Sequence, residues 1–508
     1  MIVEDQAAST ALLTDPAFHG AHGRVEVIET HISRVFLAGD RAWKMKRAVK
    51  LPYVDFSTPE LRLAACDKEM ELNARTTPEL YVASHRITRE TDGRLALDGS
   101  GHLVDGVVEM KRFRQSSLLD RMALAGKLTP ALMSETAHMV ARFHRDAPID
   151  RMRGGSATMV GVLDINEAGF ATSHVFSEAE MAPFNRAFRS ALARHSNLLD
   201  RRSAAGRIRR CHGDLHLRNI CLIAGAPRLF DCIEFSEELA TIDVLYDLAF
   251  LLMDLWHRGF AAFATLVMNR YLDEADDDDG FLFLPFFMAV RASVRAHVTA
   301  TQVEEGGEAA GLADEARSYF ELARTLLEAH PPRLVAIAGL SGSGKTTVAE
   351  MLAAKIGAPP GARIVESDRI RKAIHGVPPE TRLPADAYRP EMSETVYREM
   401  AARAGFILRQ GGTAVADAVF ERPSDRRGIE AQARESGVPF LGFWLDADAA
   451  TLRQRVAARR GGPSDATVEI VQRQLERDTD YSGWVRIDAG RGPHAVVADM
   501  LAHVESHE

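Results

Sequence analysis

The sequence predicts two domains in series: an α+β domain over residues 1–330 and an α/β domain with a parallel sheet over residues 333–508. Three observations carry this. A polar loop, His212-Gly213-Asp214-Leu215-His216, runs into a short hairpin that ends at Asp231. A polar joint, His330-Pro331-Pro332-Arg333, interrupts the chain. Directly after it come an apolar strand, a glycine-rich loop and a helix, and strand and helix alternate from there on, as a parallel sheet requires.

Composition sets the class. A chain of 508 residues, 46% apolar and 26% charged, has the balance of a soluble globular protein with room for large cores. The net charge is −9, so no global field draws it to nucleic acid or to an anionic membrane. From Arg333 onward 24 basic residues face 24 acidic ones, so the excess belongs to the first part. The four cysteines (Cys66, Cys211, Cys221, Cys232) show no CxxC spacing; buried apolar packing is expected, not a disulfide scaffold. The opening MIVEDQAAST lacks the apolar stretch of a signal peptide, and the run Phe281 to Val290 is too short for a bilayer. The expectation is a cytoplasmic protein with no membrane partner. No oligomeric state is predicted.

Along the first domain, Glu29 to Leu37 and Arg41 to Val49 read as two strands around the turn Ala38-Gly39-Asp40. Lys44 and Lys46 share one face of the second strand. Lys44 is the preferred cation and Lys46 the alternate. Ser57-Thr58-Pro59-Glu60 caps a helix from about Thr58 to Arg75. It carries Glu69, with Glu71 as rival, to pair with the lysine. Val107 to Lys111 is a further strand. Helices are expected from Thr129 to about His144, from Glu178 to about Arg194, from Ile242 to His257 and across Phe283 to Glu328. Asp243 and Asp247 fall i,i+4 on the third of these. The acidic run Asp273 to Asp279 reads as a solvated loop, with attraction of a cationic substrate as the alternative.

The hairpin carries the chemistry. Asp214 lies in the polar loop, Asn219 follows, Ile220 to Ile223 forms a strand, Ala224-Gly225-Ala226-Pro227 turns, and Arg228-Leu229-Phe230 returns to Asp231. This brings two carboxylates and an amide to one end. Phosphoryl transfer uses such a set: one carboxylate to orient an attacking hydroxyl, the other two groups to hold magnesium on nucleotide phosphates. HGDLHLRN followed by LFDCIE resembles the catalytic and metal-binding segments of the aminoglycoside phosphotransferase-like kinases, relatives of the protein kinases. The resemblance implies a bilobal α+β protein-kinase-like domain, with a small lobe over about 1–108 and a large lobe over about 109–330. It implies Asp214 as catalytic base, Asn219 and Asp231 as metal ligands, Glu234 as a second acidic partner, and Lys44 with Glu69 at the nucleotide. It also implies that Val107 to Lys111 leads into the hinge that binds adenine, and that an aspartate at Asp243 or Asp247 braces the catalytic loop. One departure is the lack of a GxGxxG loop over the phosphates.

In the second domain, Leu334 to Ala338 is a buried-type strand, followed by Gly339-Leu340-Ser341-Gly342-Ser343-Gly344-Lys345-Thr346-Thr347, which fits GxxxxGK[ST]. Its backbone amides, from Gly339, Ser341, Gly342, Ser343, Gly344 and Thr347, can close round phosphates at a helix N-terminus. Lys345 would reach the outer phosphates and Thr346 the Mg²⁺. Strands are expected at Arg363 to Glu366, at Thr413 to Ala416 ending on Asp417, and at Pro439 to Leu445. Asp368 and Arg371 share a helix face just after Glu366. A helix bearing Arg453, Arg455, Arg459 and Arg460 runs into Gly461-Gly462 and reads as a phosphate lid. This half is similar to small P-loop kinases: polynucleotide-kinase, gluconate-kinase-like and zeta-toxin-like enzymes. That resemblance implies Asp368 as acceptor base, Arg371 on phosphate or substrate, and Asp417 near Mg²⁺.

The two resemblances together match a bacterial bifunctional arrangement. They imply an ATP- and Mg²⁺-dependent phosphotransferase with two kinase-like domains. Its partners are then ATP and small-molecule hydroxyl acceptors: an aminoglycoside, sugar or related metabolite in the first half, a small acceptor or nucleotide in the second. The charge balance argues against a nucleic-acid channel. The alternatives are that one half is a nucleotide sensor regulating the other, or that the P-loop half is an ATPase or a 5′-hydroxyl nucleic-acid kinase.

Overall fold

The computed structural model of the chain describes residues 4–20, 23–51, 54–304, 309–459, 462–477 and 483–506. By packing, these group into two compact units: residues 1–162 with 195–254, and residues 163–194 with 255–508. The expected division near residue 330 therefore does not coincide with the division by packing.

In the first unit an antiparallel sheet runs, strand by strand, Glu26–Glu29, Ser33–Ala38, Arg41–Lys46, His102–Lys111, Tyr81–Arg89 and Leu95–Leu97. Two expectations are corrected here. Glu29 to Leu37 is not one strand: a turn closed by the Thr30 amide on the Ser33 carbonyl (2.8 Å) splits it into two paired strands. The strand carrying the lysines ends at Lys46 rather than Val49. The helix Pro59–Asn73 lies where capping chemistry predicts, with Thr58 Oγ1 accepting from the Leu61 amide and Pro59 in the first turn. Thr129 starts Pro130–Asp146 in the same way. Phe36, Met45, Ile87 and Val107 form one buried cluster of the sheet, and Cys66, Leu80, Val108 and Met110 another. The catalytic-type hairpin forms as Ile220–Ile223 against Ala226–Leu229, with Ala224 and Gly225 alone in the turn. Asp243 is on a short strand, Thr241–Asp243, not on the following helix Val244–His257, so the two aspartates do not share a helix face. All four cysteines are buried, and no disulfide exists among the described residues.

In the second unit five parallel strands lie in the order Arg363–Glu366, Ala414–Asp417, Leu334–Ala338, Phe440–Asp446, Val485–Asp488. The last of these was not anticipated. Val335, Ile337, Val415 and Phe443 supply a core closed by Val348 and Leu352 of Lys345–Ala353 and by Val496 and Met500 of Pro493–Glu505. The helices Ala261–Ala275, Leu284–Glu304 and Ala309–Thr325 belong to the same unit. There Phe184 and Phe176 stack on Phe320, with ring centroids 4.4 and 4.8 Å away. The stretch Asp278–Glu304 is apolar and long enough by composition to span a membrane, yet 72% of its most apolar window is buried inside the protein. The acidic run is not a solvated loop. Asp273 lies in the last turn of the Ala261–Ala275 helix, Asp277 is fully buried, and Asp273 and Asp278 both grip Arg363 at 2.7 Å.

A buried pair ties the first unit's final strand down. The Arg202 guanidinium, fully buried, makes a two-pronged contact with Asp243 (2.8 and 2.9 Å). Asp243→Ala leaves that cation without its carboxylate and should cost about 3–5 kcal/mol, lowering the urea midpoint. Arg145→Ala, which removes a surface pair with Asp146, should change it by less than about 1 kcal/mol. Equal effects would contradict this ranking.

Candidate active sites

The first site is built on the loop between Arg210 and the hairpin. Asp247, fully buried on the helix behind it, accepts from the backbone amides of His212 (3.1 Å) and Gly213 (2.9 Å). Asp254, two helical turns further, accepts from the Leu217 amide at 3.0 Å. Gly213 sits at φ +86°, and a Cβ there would meet the Ile233 side chain at 2.9 Å, so the turn needs glycine. The loop thus presents Asp214, whose side chain is 41% exposed. The Asn219 amide donates to the Asp214 carboxylate and to its carbonyl, both at 2.9 Å. The brace expected at Asp243 or Asp247 is Asp247. Among the described residues, one buried trio, His144, Cys211 and Asp247, has donor atoms within 4.8 Å of one another. Since the Asp247 oxygens serve His144 and two loop amides, the trio reads as part of this brace.

The hairpin register, Ile220 opposite Leu229, carries the chain back to Asp231. Asp231 has φ +64°, a conformation Asp tolerates better than most residues. Its amide donates to the Tyr81 hydroxyl at 3.1 Å. Its carboxylate meets Lys44 Nζ directly. Lys44 also donates to Glu69 at 2.9 Å, while Lys46 donates to the other Glu69 oxygen at 2.5 Å and meets Glu234. The choice between the lysines is therefore not exclusive: Lys44 faces Asp231, Lys46 faces Glu234, and Glu69 holds both. Glu71 is exposed and pairs with Lys68 at 3.0 Å, which removes it as the rival. Burial works against the charge of Glu69, but Lys44 and Lys46 outweigh it and hold the carboxyl at about 2. Burial likewise opposes the charge on Lys44, and Asp231 and Glu69 outweigh it and raise its pKa well above the ordinary value. Glu234 goes the other way, pushed up by burial. Glu234 had been singled out only as a further partner. Nothing in the sequence signals that Lys46 and Glu234 form a buried pair.

The second site gathers at the carboxyl ends of the parallel strands, where Ile337, Glu366 and Asp417 stand at one level of the register. Gly339 (φ +140°) and Gly342 (φ +89°) would each drive a Cβ to 2.6 Å from a carbonyl oxygen, of Leu445 and of Leu452. Only glycine permits so tight a loop. Gly344 opens the helix, Lys345 Nζ donates to the Leu340 carbonyl (3.2 Å), and the Ser341 amide donates to Gln474 (3.0 Å). The buried Ser343 hydroxyl has no hydrogen-bond partner among the described residues, and Thr347 is exposed. Thr346 Oγ1 donates to Asp417 at 2.8 Å and lies 3.4 Å from Glu366. Burial raises Glu366 to about 8 and Asp417 to about 6, and the Asp368 charge adds to both. Burial pulls Lys345 below its ordinary pKa, against Asp417 and Asp368.

Two expectations change in this half. Arg371 makes no ion pair with Asp368 among the described residues: its guanidinium donates to the Ala387 carbonyl at 2.7 Å and lies 4.7 Å over the ring of Tyr388, a residue that the Asp368 charge also reaches. The arginine helix ends at Ala458, so Arg459 follows it, and Arg460 and Gly461 lie outside the described residues. Arg455 does approach the loop, 4.0 Å from where a Cβ of Gly344 would be, and Arg459 contributes its positive charge at Lys345. Leu452 and Val456 of this helix pack with Leu340 of the loop and with Val471. Sequence reasoning missed Glu366, whose strand-end place two residues before Asp368 was the available signal. It also missed Asp465, which accepts from Lys372 (2.6 Å), Tyr388 (2.5 Å) and the Leu383 amide (3.0 Å).

Both donor sets fit the groups expected of them. Asp231 with the nearby Asn219, and Thr346 with Asp417 and Glu366, are hard oxygen donors of the kind magnesium takes. Two carboxylates that resist ionisation side by side, as at Thr346, favour a divalent cation between them. The glycine cradle, with its unpartnered Ser343 hydroxyl, fits phosphate.

Comparison with known proteins agrees with this layout. Residues 56–282 match the phosphotransferase enzyme family and residues 334–479 match the AAA domain. The chain thus carries a kinase-like phosphotransferase domain followed by a P-loop domain with a parallel sheet. Uncharacterized proteins of Mycobacterium tuberculosis and Mycobacterium bovis are 29% identical over 489 residues, covering 94% of this chain and 95% of theirs. Among solved structures, a choline/ethanolamine kinase family protein from Mesorhizobium loti is 14% identical and covers 63% of this chain and 94% of its own (TM-score 0.42). A gluconokinase from Sinorhizobium meliloti is 24% identical over 35% of this chain and 94% of its own (TM-score 0.25).

The Glu69 cluster makes a pH prediction. Its folded pKa, about 2, lies below the ordinary 4.5, so its contribution to stability is complete above 4.5 and lost as pH falls toward 2. Thermal melts of the parent protein and Glu69→Gln should differ by a steady amount from about pH 6 to 8 and converge below about 4.5. A gap that stays open in acid would contradict the pairing.

Proposed function

We propose that the chain is a cytoplasmic, ATP-dependent phosphotransferase with two active centres, one in each half, each delivering the γ-phosphoryl group to a hydroxyl of a small molecule. The observation that carries this reading is the first hairpin. It sets Asn219 on Asp214 at 2.9 Å and leads to Asp231, which meets the lysine that Glu69 holds. The proposed domain limits are 1–330 and 333–508.

In the first centre, Asp214 orients the acceptor hydroxyl and takes its proton as the oxygen bonds to the γ-phosphorus. The bond from that phosphorus to the bridging oxygen breaks, and ADP leaves. Lys44, anchored by Glu69, binds the inner phosphates. Asn219 and Asp231 would hold magnesium, which neutralises charge on the phosphates. Asp247 keeps the loop from turning Asp214 away.

In the second centre, the amides of Gly339, Ser341, Gly342, Ser343, Gly344 and Thr347 cradle phosphates, with Lys345 on the outer ones. Thr346 and Asp417 would hold magnesium. Asp368 serves as acceptor base, and Arg455 and Arg459 face the transferring group. Arg371, stacked on Tyr388, shapes the acceptor side. The acceptor of the first half is an aminoglycoside, sugar or related metabolite, and that of the second a small molecule or nucleotide. No membrane or nucleic-acid partner is proposed.

The test is ATP consumption by the purified protein against aminoglycosides, sugars, nucleosides and 5′-hydroxyl oligonucleotides. Asp214→Asn should lower turnover with the first half's acceptor by about 100-fold or more while nucleotide binding persists. Lys345→Ala should weaken nucleotide binding at the glycine loop and lower turnover with the second half's acceptor alone. If no acceptor stimulates turnover and both variants leave basal hydrolysis unchanged, the two-centre reading is wrong.

A further inference from the structure

The strand Arg363–Glu366 is the edge of the parallel sheet: one side pairs with Ala414–Asp417. Its other side meets the helix Ala261–Ala275, which lies within the segment matched to the phosphotransferase family. Asn269 on that helix does the work of a neighbouring strand. Its Oδ1 accepts from the Ile364 amide at 2.7 Å and its Nδ2 donates to the Ala362 carbonyl at 3.1 Å. Thr265, a turn earlier, donates to the Pro360 carbonyl at 2.5 Å. An edge that would otherwise face solvent or another chain is thereby satisfied from within.

The charges on the same helix continue inward. Asp273 accepts from Arg363 at 2.7 Å and stands 3.6 Å from Arg369 Nε. That same Nε donates to Glu366 at 2.9 Å, and the far oxygen of Glu366 lies 3.4 Å from Thr346 Oγ1. Arg270 meets Glu350 on the helix that follows the glycine loop. Arg363 is locked: Asp273, Asp278 at 2.7 Å and Asn269 at 3.0 Å take up its guanidinium. Arg369 is nearly buried, so Asp273 limits where its guanidinium can lie. Burial works against the charge of Asp273, yet Arg363 and Arg369 keep its carboxyl below the usual range.

We infer that the helix Ala261–Ala275 completes the glycine-loop centre, with Asp273 as a positioning residue that acts through Arg369 to aim Glu366 at the Thr346 hydroxyl. The acidic run is then neither a solvated loop nor a lure for cationic substrates. It is the part of the first family segment on which the second centre depends. The inference rests on the reading of this centre as an ATP- and magnesium-binding site. The effect should be selective. Glu366 borders the oxygen donors at Thr346, whereas the phosphate cradle is made of loop amides that Glu366 does not touch. Loss of Asp273 should therefore weaken binding of metal-bound nucleotide and spare the metal-free form.

The experiment uses the full chain carrying Lys44→Ala and Asp231→Asn to silence the first centre toward both nucleotide forms, with Mn²⁺–ATP followed by electron paramagnetic resonance and metal-free ATP by calorimetry. Asp273→Asn should weaken Mn²⁺–ATP roughly tenfold, as loss of an outer partner to a metal site does. Metal-free ATP should change by less than about twofold, and Asp273→Glu should restore the parent value. Arg369→Gln should reproduce the selective loss, and it carries the test if Asp273→Asn does not fold. Unchanged Mn²⁺–ATP affinity in both variants overturns the inference. So does an equal loss of both nucleotide forms, which is what a merely structural contact would give. If Lys345→Ala also leaves both affinities unchanged, the glycine-loop reading itself fails and takes the inference with it.

Discussion

A buried carboxylate between two ammonium groups is the interaction on which the first site depends. Glu69 is fully buried, as is Lys46, and Lys44 is nearly so. Each of these charges alone would be expelled or neutralised in such surroundings. Together with Asp231 and Glu234 they alternate in sign from the strand Arg41–Lys46 through the helix Pro59–Asn73 to the residues just after the hairpin. The arrangement constrains three separate stretches of chain at once. Displacing any one of them takes at least one opposite charge away from a buried group, so the strand, the helix and the hairpin keep their relation to one another. Lys44 is held where phosphates would need it, and the second lysine keeps Glu69 anchored whatever Lys44 binds.

The second unit solves the same problem with arginine. A guanidinium spreads its charge over five donors in a plane, so Arg363 can satisfy two carboxylates and an amide while buried. Around Thr346 burial opposes ionisation: it pushes Glu366 and Asp417 up in pKa, the Asp368 charge adds to it, and Arg369 and Lys345 offset it only in part. Buried carboxylates that resist ionising side by side are a donor set that a divalent cation favours.

How far the sequence could be read depended on how local the signal was. The Thr58 and Thr129 helix starts and the loop from Gly339 to Gly344 are decided within a few residues, and the structure agrees with them, while the turn expected over Ala224-Gly225-Ala226-Pro227 tightens to Ala224 and Gly225. So is the order Asp214, Asn219, Asp231, because a two-residue turn leaves the hairpin little choice of register. The readings that failed concerned surroundings. The run Asp273 to Asp279 looks solvated by composition, and only the arrival of Arg363, some 90 residues later, makes burial affordable. Arg371 is taken up by the Ala387 carbonyl, 16 residues further on, and by the adjacent Tyr388 ring, partners that its own helix does not announce.

The sequence by itself determined the resemblance to two kinds of kinase-like domain, the order of their motifs and the residues proposed to carry the chemistry, since each motif is a short pattern whose backbone geometry follows from its glycines, caps and turns. The tertiary structure decided how charges are shared. It settled Glu69 over Glu71, gave Lys44 and Lys46 different carboxylates, and named Asp247 as the brace. It also set a helix of the first family segment against the edge strand of the second. Pairing of buried charges depends on distances between residues far apart in the chain, and periodicity and spacing do not encode those distances.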